Sequence, residues 1–567
     1  MPTPCYITTP IYYVNDRPHI GHCYTTLVAD IAARAHRLLG DDVFFLTGTD
    51  EHAEKVVAKA AEHGVSPQAW ADRNAAAFEA AFAFMNFSND DFIRTTEDRH
   101  KIKAAQYIQR LVDSGDIELG DYAGWFDASQ EEYVTETVAK EHDYKSPVTG
   151  KPLEQRTEQN YFFRLDKYEP WLREQIEGGH IAVLPEARRN EVMGRLKGGL
   201  NKVPVSRRIK DGDADWGVVM PNDPAHRVYV WIEALCNYLT VVDTDDRRRY
   251  WPPTVQFMAK DILWFHAVVW PAMLHALGET PPATVYAHAY FIAEGRKMSK
   301  SLGNFIEIDT LAAYADRFGL DALRWFLITQ GPLGANDADF AYARFIEVYN
   351  ADLANSVGNS ISRVSNMIAK YFDGDITHIC DGRYGFDDGT ALQIAVAALE
   401  AVGKAPTEAR TFDFAADTAA AVTRAQAAIE AVELDEALAE GLGIVRSVDD
   451  FISYAAPFVL AKQVGKRDGA EDALAAILYS CAEALRIASL LLAPAMPQAM
   501  AELWRRWDCK HLVDPDDANS AFAAPLAELA RWNGDFSLTL GQKIVKGDAL
   551  FMRADAKDPA PTANKES

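Results

Sequence analysis

The chain has 567 residues, too many for one domain at about 100–200 residues each, which predicts three or four. Apolar residues at 49% and charged ones at 25% are a globular balance that excludes disorder and a collagen-like fibre. The acidic excess of 82 over 57 gives a net charge of −25, which argues against wholesale nucleic-acid binding and leaves only local patches such as Arg188-Arg189, Arg207-Arg208 and Arg247-Arg248-Arg249.

The first strand-like run is Cys5 to Thr9, so no secretory or transit peptide is expected and the protein is expected to be cytoplasmic. Leu27, Ile31, Ala35 and Leu38 recur at helical spacing before a second β-rich run at Val43 to Thr47. That strand–loop–helix–strand unit usually opens a parallel, doubly wound sheet. Helices are predicted over Ser66 to Phe84 and His100 to Ser114. From Gly115 the texture changes: Tyr122 to Thr135 is aromatic and β-rich, and Lys145 to Leu153 is turn-rich. Sheet-like runs return at Val228 to Ile232, Val255 to Met258 and Thr284 to Ile292. Beyond Asn336 the chain reads as wholly helical, with Val357, Ile361, Val364 and Ile368 as a second apolar stripe.

The stretch Cys481 to Met500 is broken by Glu483, Arg486 and two prolines, and reads as a core helix rather than a membrane span. Cys5, Cys23, Cys236, Cys380, Cys481 and Cys509 lack paired spacing, which predicts reduced thiols and no cysteine-built zinc site. The expected fold is α/β: a Rossmann-like doubly wound parallel sheet in two halves, 1–114 and 218–335. A connective insertion, 115–217, interrupts it. A helical bundle follows at 336–553, and a polar tail at 554–567 is expected to be disordered.

Two motifs carry chemistry. His19-Ile20-Gly21-His22 lies between the first strand and first helix, where unpaired backbone N–H groups and the helix dipole suit a phosphate. Gly21 admits close approach, and the imidazoles could donate hydrogen bonds to oxygens whose charge grows during attack at phosphorus. An isolated H-x-G-H more often caps a helix. Lys297-Met298-Ser299-Lys300-Ser301 follows a strand-like run, and Lys297 and Lys300 could close over a triphosphate. Alone it is a common surface sequence. The two motifs, one near each end of the sheet domain, are informative together.

Together they resemble the signature of class I aminoacyl-tRNA synthetases. The surrounding text is similar to the methionyl-tRNA synthetase family: Thr9-Pro10-Ile11-Tyr12-Tyr13-Val14-Asn15, Gly48-Thr49-Asp50-Glu51-His52, Glu158 to Leu165, Arg188 to Val192, Val228-Tyr229-Val230-Trp231, Lys260 to His266 and Tyr349 to Asn355. The resemblance covers about residues 4 to 553. It implies attack of methionine's carboxylate on the α-phosphate of ATP, then transfer of methionine from the adenylate to tRNA(Met). His19, His22, Lys297 and Lys300 would be catalytic. Gly21, Asp261 and Ser299 would join them in holding ATP, which magnesium accompanies. Asp50 would bind the substrate ammonium, its alternative being a helix cap. Ile11, Tyr13, Trp231, Ala234, Leu235, Tyr238, Ile262, Phe265 and His266 would line the methionine pocket, whose apolar and aromatic walls suit a thioether. Asn359, Arg363 and Phe458 would meet the anticodon.

Some positions depart from the family. Its zinc-knuckle positions hold Asp127, Gln130, Ser146 and Thr149, so no structural zinc is expected. Glu233 stands where Asp is usual, and Ala53, Ala259 and Ala289 where Gly is usual, which matters only if those backbones need positive φ. Phe458 replaces a stacking Trp. No dimerising tRNA-binding domain follows Phe551, so a monomer is expected. Synthetases for leucine, isoleucine or valine would carry a longer insertion. A cysteine-specific relative would need zinc-binding cysteines, and small nucleotidyltransferases lack the bundle. A catalytically dead tRNA-binding paralogue would show degenerate motifs, whereas His19, His22, Asp50, Lys297 and Lys300 are all present.

Overall fold

The computed structural model describes residues 2–127, 132–134, 136–209, 214–298, 304–375, 388–404, 406–539, 542–555 and 557–561. β1 (Pro4–Tyr13) is buried along most of its length, as a strand covered on both faces must be. α1 (Ile20–Leu39) buries Leu27, Ile31, Ala35 and Leu38 against it and stops at Gly40, whose φ of 97° is the left-handed cap that glycine adopts most easily. β2 (Asp42–Asp50) returns parallel to β1, and β3 (Asp91–Arg94) pairs outside β2.

The six-stranded sheet runs β3, β2, β1, Val255–Ala259, Thr284–His288 and Ala182–Leu184, every pairing parallel. The direction of winding changes between β1 and Val255–Ala259. In such sheets the crevice beyond the carboxyl ends of those strands is where ligands bind. The sixth strand comes from within the span expected to be an insertion. Otherwise that span builds small antiparallel sheets, chiefly Ile117–Asp127 against Glu154–Phe163.

Four local expectations need correction. The run Val228 to Ile232 is not a strand: Val228 ends one (Asp223–Val228), and Val230–Leu235 is a helix. A short apolar run reads alike for a buried strand and a buried helix, and here Val230, Ile232, Glu233, Ala234 and Leu235 are all buried. Thr284 to Ile292 is two strands in different sheets, Thr284–His288 and Phe291–Ala293. The latter pairs with Ala338–Phe340, so a strand persists beyond Asn336. The tail, expected to be disordered from Ala554, is held where partners exist. Asn350 exchanges two hydrogen bonds with Ala554, and Arg317 grips Asp558 and the Pro559 carbonyl. Ala53 and Ala259 have φ of −63° and −82°, and Ala289 is not among the positive-φ residues, so alanine costs nothing there.

The bundle packs Phe414–Glu430, Leu434–Ala455 and Ala470–Leu492 together. Ala470–Leu492 is long and apolar enough to cross a membrane, but 89% of its apolar window is buried inside the fold. Its Glu483 and Arg486 form a bidentate pair with no exposure.

Bundle and sheet domain are joined at Arg324, also fully buried. Its guanidinium donates to Asp30 of α1 (2.7 Å), to the Met85 carbonyl (3.0 Å) and to the Ala495 and Pro494 carbonyls (3.0 and 3.1 Å). Arg34 adds a bond to Asp30 (2.8 Å) and one to Asn519 (2.9 Å). Burial alone would raise Asp30, but the two guanidiniums outweigh it and hold its carboxyl down at about 2. A buried charge so fully hydrogen-bonded is tolerated; removing one partner would be costly.

Candidate active site

After β1 a short turn brings the chain to His19, the N-cap of α1. The Gly21 amide donates to His19 Nδ1 (3.0 Å), and the His19 amide donates to His22 Nδ1 (3.2 Å). This is a capping box made by two imidazoles. A neutral imidazole that accepts at Nδ1 carries its proton on Nε2, so the cap sets both rings in the tautomer whose donor the helix end does not use. The ring centroids lie 3.8 Å apart.

Burial, then the neighbouring His19, push the pKa of His22 well below the ordinary value, so it is neutral at pH 7. Tyr12 and Phe78 meet His22 edge-on at 5.0 Å each. A Cβ on Gly21 would fall 2.9 Å from His19 Cε1, so glycine is what lets the ring fold back over its own helix. These are the contacts of the capping reading of H-x-G-H.

The partner segment arrives from far along the chain, Lys297 lying 278 residues beyond His19. Lys297 ends the exposed strand Arg296–Lys297, paired to Phe291–Ala293, and its carbonyl accepts from the Asn304 side chain (3.2 Å). The chain then lies against the head of α1: the Ile20 amide donates to the Ile306 carbonyl (3.1 Å), His19 bridges to Glu307, and Phe305 meets the His19 ring at 4.8 Å. Ser299, Lys300 and Ser301 lie outside the described residues. Asp261 sits just past the end of Val255–Ala259, exposed, with the Tyr290 hydroxyl donating to its carboxyl.

The predicted methionine residues, drawn from both sides of the switch point, converge in two groups. Tyr13 meets Trp231 edge-on at 5.8 Å, and Trp231 stacks on Phe265 at 4.5 Å and 5°. Behind them the Tyr238 hydroxyl lies 2.8 Å from His266 Nε2, and His266 Nδ1 donates to the Ile262 carbonyl (3.0 Å). Burial pulls His266 down to about 4, so Nε2 is an acceptor and Tyr238 is the donor. Ala234 and Leu235 are buried, and Ile11 is half-buried on β1. Asp50, the last residue of β2, is buried and opposite Tyr13 in register. It caps no helix; that role before Glu54–Glu62 falls to Ala53.

Several contributors carry no sequence signal of their own. Phe78 is one. Thr25 and His288 are others: the Thr25 hydroxyl is 2.7 Å from His288 Nε2 and ties α1 to the strand Thr284–His288. Another group is wholly buried: Glu233 accepts from His52 Nδ1 (2.7 Å) and His100 Nε2 (2.9 Å). Burial alone would raise Glu233, but the two imidazoles hold its carboxyl low. His52 lies within a quoted motif, yet nothing in that motif foretold its partners.

Asn359 and Arg363 stand one turn apart on Asn359–Phe372, exposed and half-exposed, with Arg363 bonded to Asp449 at 3.4 Å. Phe458 is on the separate short helix Pro457–Leu460 and is 47% exposed, large for a phenyl ring. A surface pocket of about 460 Å³ opens beside it, walled by Tyr454, Arg410 and Lys404.

In the insertion, the Ser146 hydroxyl accepts from the Val148 and Thr149 amides (3.3 and 3.0 Å), closing the turn. Asp127 is buried at a distance in sequence, and Gln130 lies outside the described residues. Among the described residues, no three His, Cys, Asp or Glu side chains are grouped to hold a metal ion.

The family model described as tRNA synthetases class I (M) matches residues 5–142 and 137–365. A methionine–tRNA ligase of Bacillus subtilis is 37% identical over 98% of this chain and 78% of its own length. One from Halalkalibacterium halodurans is 38% identical over 98% and 79%. The structure of Mycobacterium tuberculosis methionyl-tRNA synthetase with methionyl-adenylate superposes with a TM-score of 0.80 at 32% identity, covering 97% of this chain and 99% of that one. Its apo form gives 0.76 at 30% identity, covering 98% and 99%.

Proposed function

This chain belongs to the methionyl-tRNA synthetases of class I, and on that premise we propose how its own side chains divide the work. The reaction is the ligation of methionine to tRNA at the expense of ATP, through methionyl-adenylate. The observation that carries our assignment is the pair of imidazoles at the head of α1, each holding its proton on Nε2 at the sheet's switch point.

His19 and His22 donate those protons as hydrogen bonds to the α-phosphate oxygens while methionine's carboxylate attacks. As neutral donors they need no counter-charge in the ground state, and they are already oriented when charge develops. Charge neutralisation falls to Lys297 and Lys300 and to the magnesium that enters with ATP, with Ser299, Asp261 and the Gly21 backbone completing the nucleotide site. The exposure of Lys297 supports a segment that closes on the bound triphosphate. Asp50 binds the substrate ammonium. The Tyr13–Trp231–Phe265 aromatic run and the Tyr238–His266–Ile262 chain form the thioether pocket, with Ile11, Ala234 and Leu235 as its floor.

Asn359, Arg363 and Phe458 contact unstacked anticodon bases, which the exposure of Asn359 and Phe458 supports. The insertion carries no zinc; the hydrogen-bonded Ser146 turn supports this, and one zinc per chain by elemental analysis would refute it. We take the protein to act as a cytoplasmic monomer, which light scattering would report at 62.8 kDa. The five described cysteines are buried free thiols, as a reducing compartment permits.

The test is amino-acid-dependent ATP–pyrophosphate exchange with all twenty amino acids and no tRNA. Exchange with methionine alone, abolished by His22→Ala or Lys300→Ala, is expected. Exchange with none, from folded protein that binds tRNA, would make the chain a tRNA-binding paralogue.

A further inference from the structure

The wholly buried Glu233 sits two residues after Trp231 in the helix Val230–Leu235, and its carboxylate is shared by two imidazoles from elsewhere. His52 lies two residues after Asp50, in the loop beyond β2; His100 lies in the first turn of Asp98–Asp113. The loop is held from its other side as well. The Trp216 indole donates to the Glu51 carbonyl (2.7 Å) and meets the His52 ring edge-on at 5.3 Å, while Arg94 takes the Glu51 carboxylate at 2.7 and 3.0 Å. The side chains of Glu51 and His52 are therefore anchored in place, and the anchor shared with the aromatic wall of the pocket is Glu233.

We propose that Glu233 is a positioning residue for the amino-acid site: through His52 it locks the backbone carrying Asp50 to the helix carrying Trp231. The proposal rests on the assignment of Asp50 and Trp231 to methionine binding. The carboxylate is needed because it alone offers acceptors to both donors. Glutamine presents one acceptor oxygen and an amide that itself donates, so one imidazole must change tautomer or lose its bond. Aspartate keeps both acceptors but draws them back by one methylene, too short to meet both imidazoles at 2.7 and 2.9 Å. An error in the separation of ammonium anchor and side-chain wall is felt by methionine and not by ATP, which binds at the head of α1. Glu233 itself touches neither substrate.

The experiment is steady-state ATP–pyrophosphate exchange on the full chain, reading KM for methionine and for ATP together with thermal stability, for Glu233→Gln, Glu233→Asp, Asp50→Asn and a bundle-core control, Ile452→Val. Glu233→Gln is expected to raise the methionine KM at least tenfold and leave the ATP KM within twofold, with Glu233→Asp between Gln and wild type. A methionine KM unchanged in Glu233→Gln overturns the proposal. So does a rise in both KM values in step with lost stability, which is what a merely structural carboxylate would give. Should Glu233→Gln fail to fold, Glu233→Asp decides: a rise of at least threefold in the methionine KM alone supports the proposal, and no rise refutes it. If Asp50→Asn leaves the methionine KM unchanged, the assignment of the site is at fault. If Asp50→Asn raises it and the Glu233 variants do not, only the positioning role fails.

Discussion

The proposed amino-acid site and the face that carries Asn359, Arg363 and Phe458 sit in one chain and are built by opposite means. In the first, each side chain is held by another: Trp231 lies on Phe265, Tyr238 is tied to His266, and His266 to the Ile262 carbonyl. In the second, Asn359 is exposed, Arg363 has one long bond to Asp449, and Phe458 stands with nearly half its surface in solvent. On the proposed assignments, the difference follows from the size of what each region would bind. A small amino acid brings few contacts, so its walls must already be in place, because ordering them on binding would consume the affinity. A tRNA loop brings its own ordering energy and unstacked bases, so exposed planar and hydrogen-bonding groups suffice.

The sharpest way to separate the regions is His22→Ala, which removes a preoriented donor and is expected to lower adenylate formation about 10²–10³-fold. Single-turnover adenylation measures this, and KM for tRNA should stay put. Phe458→Ala is the reciprocal test. Loss of one base–aromatic stack is worth about 1–3 kcal/mol, so aminoacylation efficiency should fall by roughly one to two orders of magnitude while methionine-dependent exchange is untouched. Equal loss in both assays would remove Phe458 from the anticodon face.

Tyr238→Phe is gentler. It leaves the neutral His266 Nε2 without its donor in a buried place, at a cost of about 1–1.5 kcal/mol and thus roughly a tenfold rise in methionine KM. ATP KM should not move.

The smallest effect on catalysis is a pH effect on stability. Burial holds His266 and His288 down to about 4, so between about pH 6.5 and 4 the unfolded chain binds protons that the folded chain refuses. Stability therefore falls as the pH drops through that window, and Asp30, held down at about 2, extends the fall below it. Urea unfolding at pH 7 and pH 5 should show it, and His288→Gln should flatten the slope by about 1.4 kcal/mol per pH unit.

The same two regions differ in how far the sequence foretells them. α1 is legible because its stripe, its glycine stop and its loop signals agree, and H-x-G-H falls where such a unit binds phosphate. Ala182–Leu184 is not: three residues carry no periodicity, and their place in the sheet comes from pairing with Thr284–Tyr286, a hundred residues away. Val228 to Ile232 misleads because burial on all sides erases the pattern that separates strand from helix. The partners of Glu233 are hidden for another reason. His52 and His100 are single residues on separate elements, and only the sheet's winding brings them together. On the helical side, the stripe Val357, Ile361, Val364 and Ile368 marks the buried face correctly, and so leaves Asn359 and Arg363 on the face turned outward.

Arg324 has a mechanical meaning as well. Its guanidinium holds α1, the Met85 carbonyl and the turn at Pro494 and Ala495 at once, so the seam between sheet and bundle has no slack plane along which to slide. Heat therefore finds no weak joint there: the two halves should melt as one calorimetric transition, and Arg324→Met should split the peak in two.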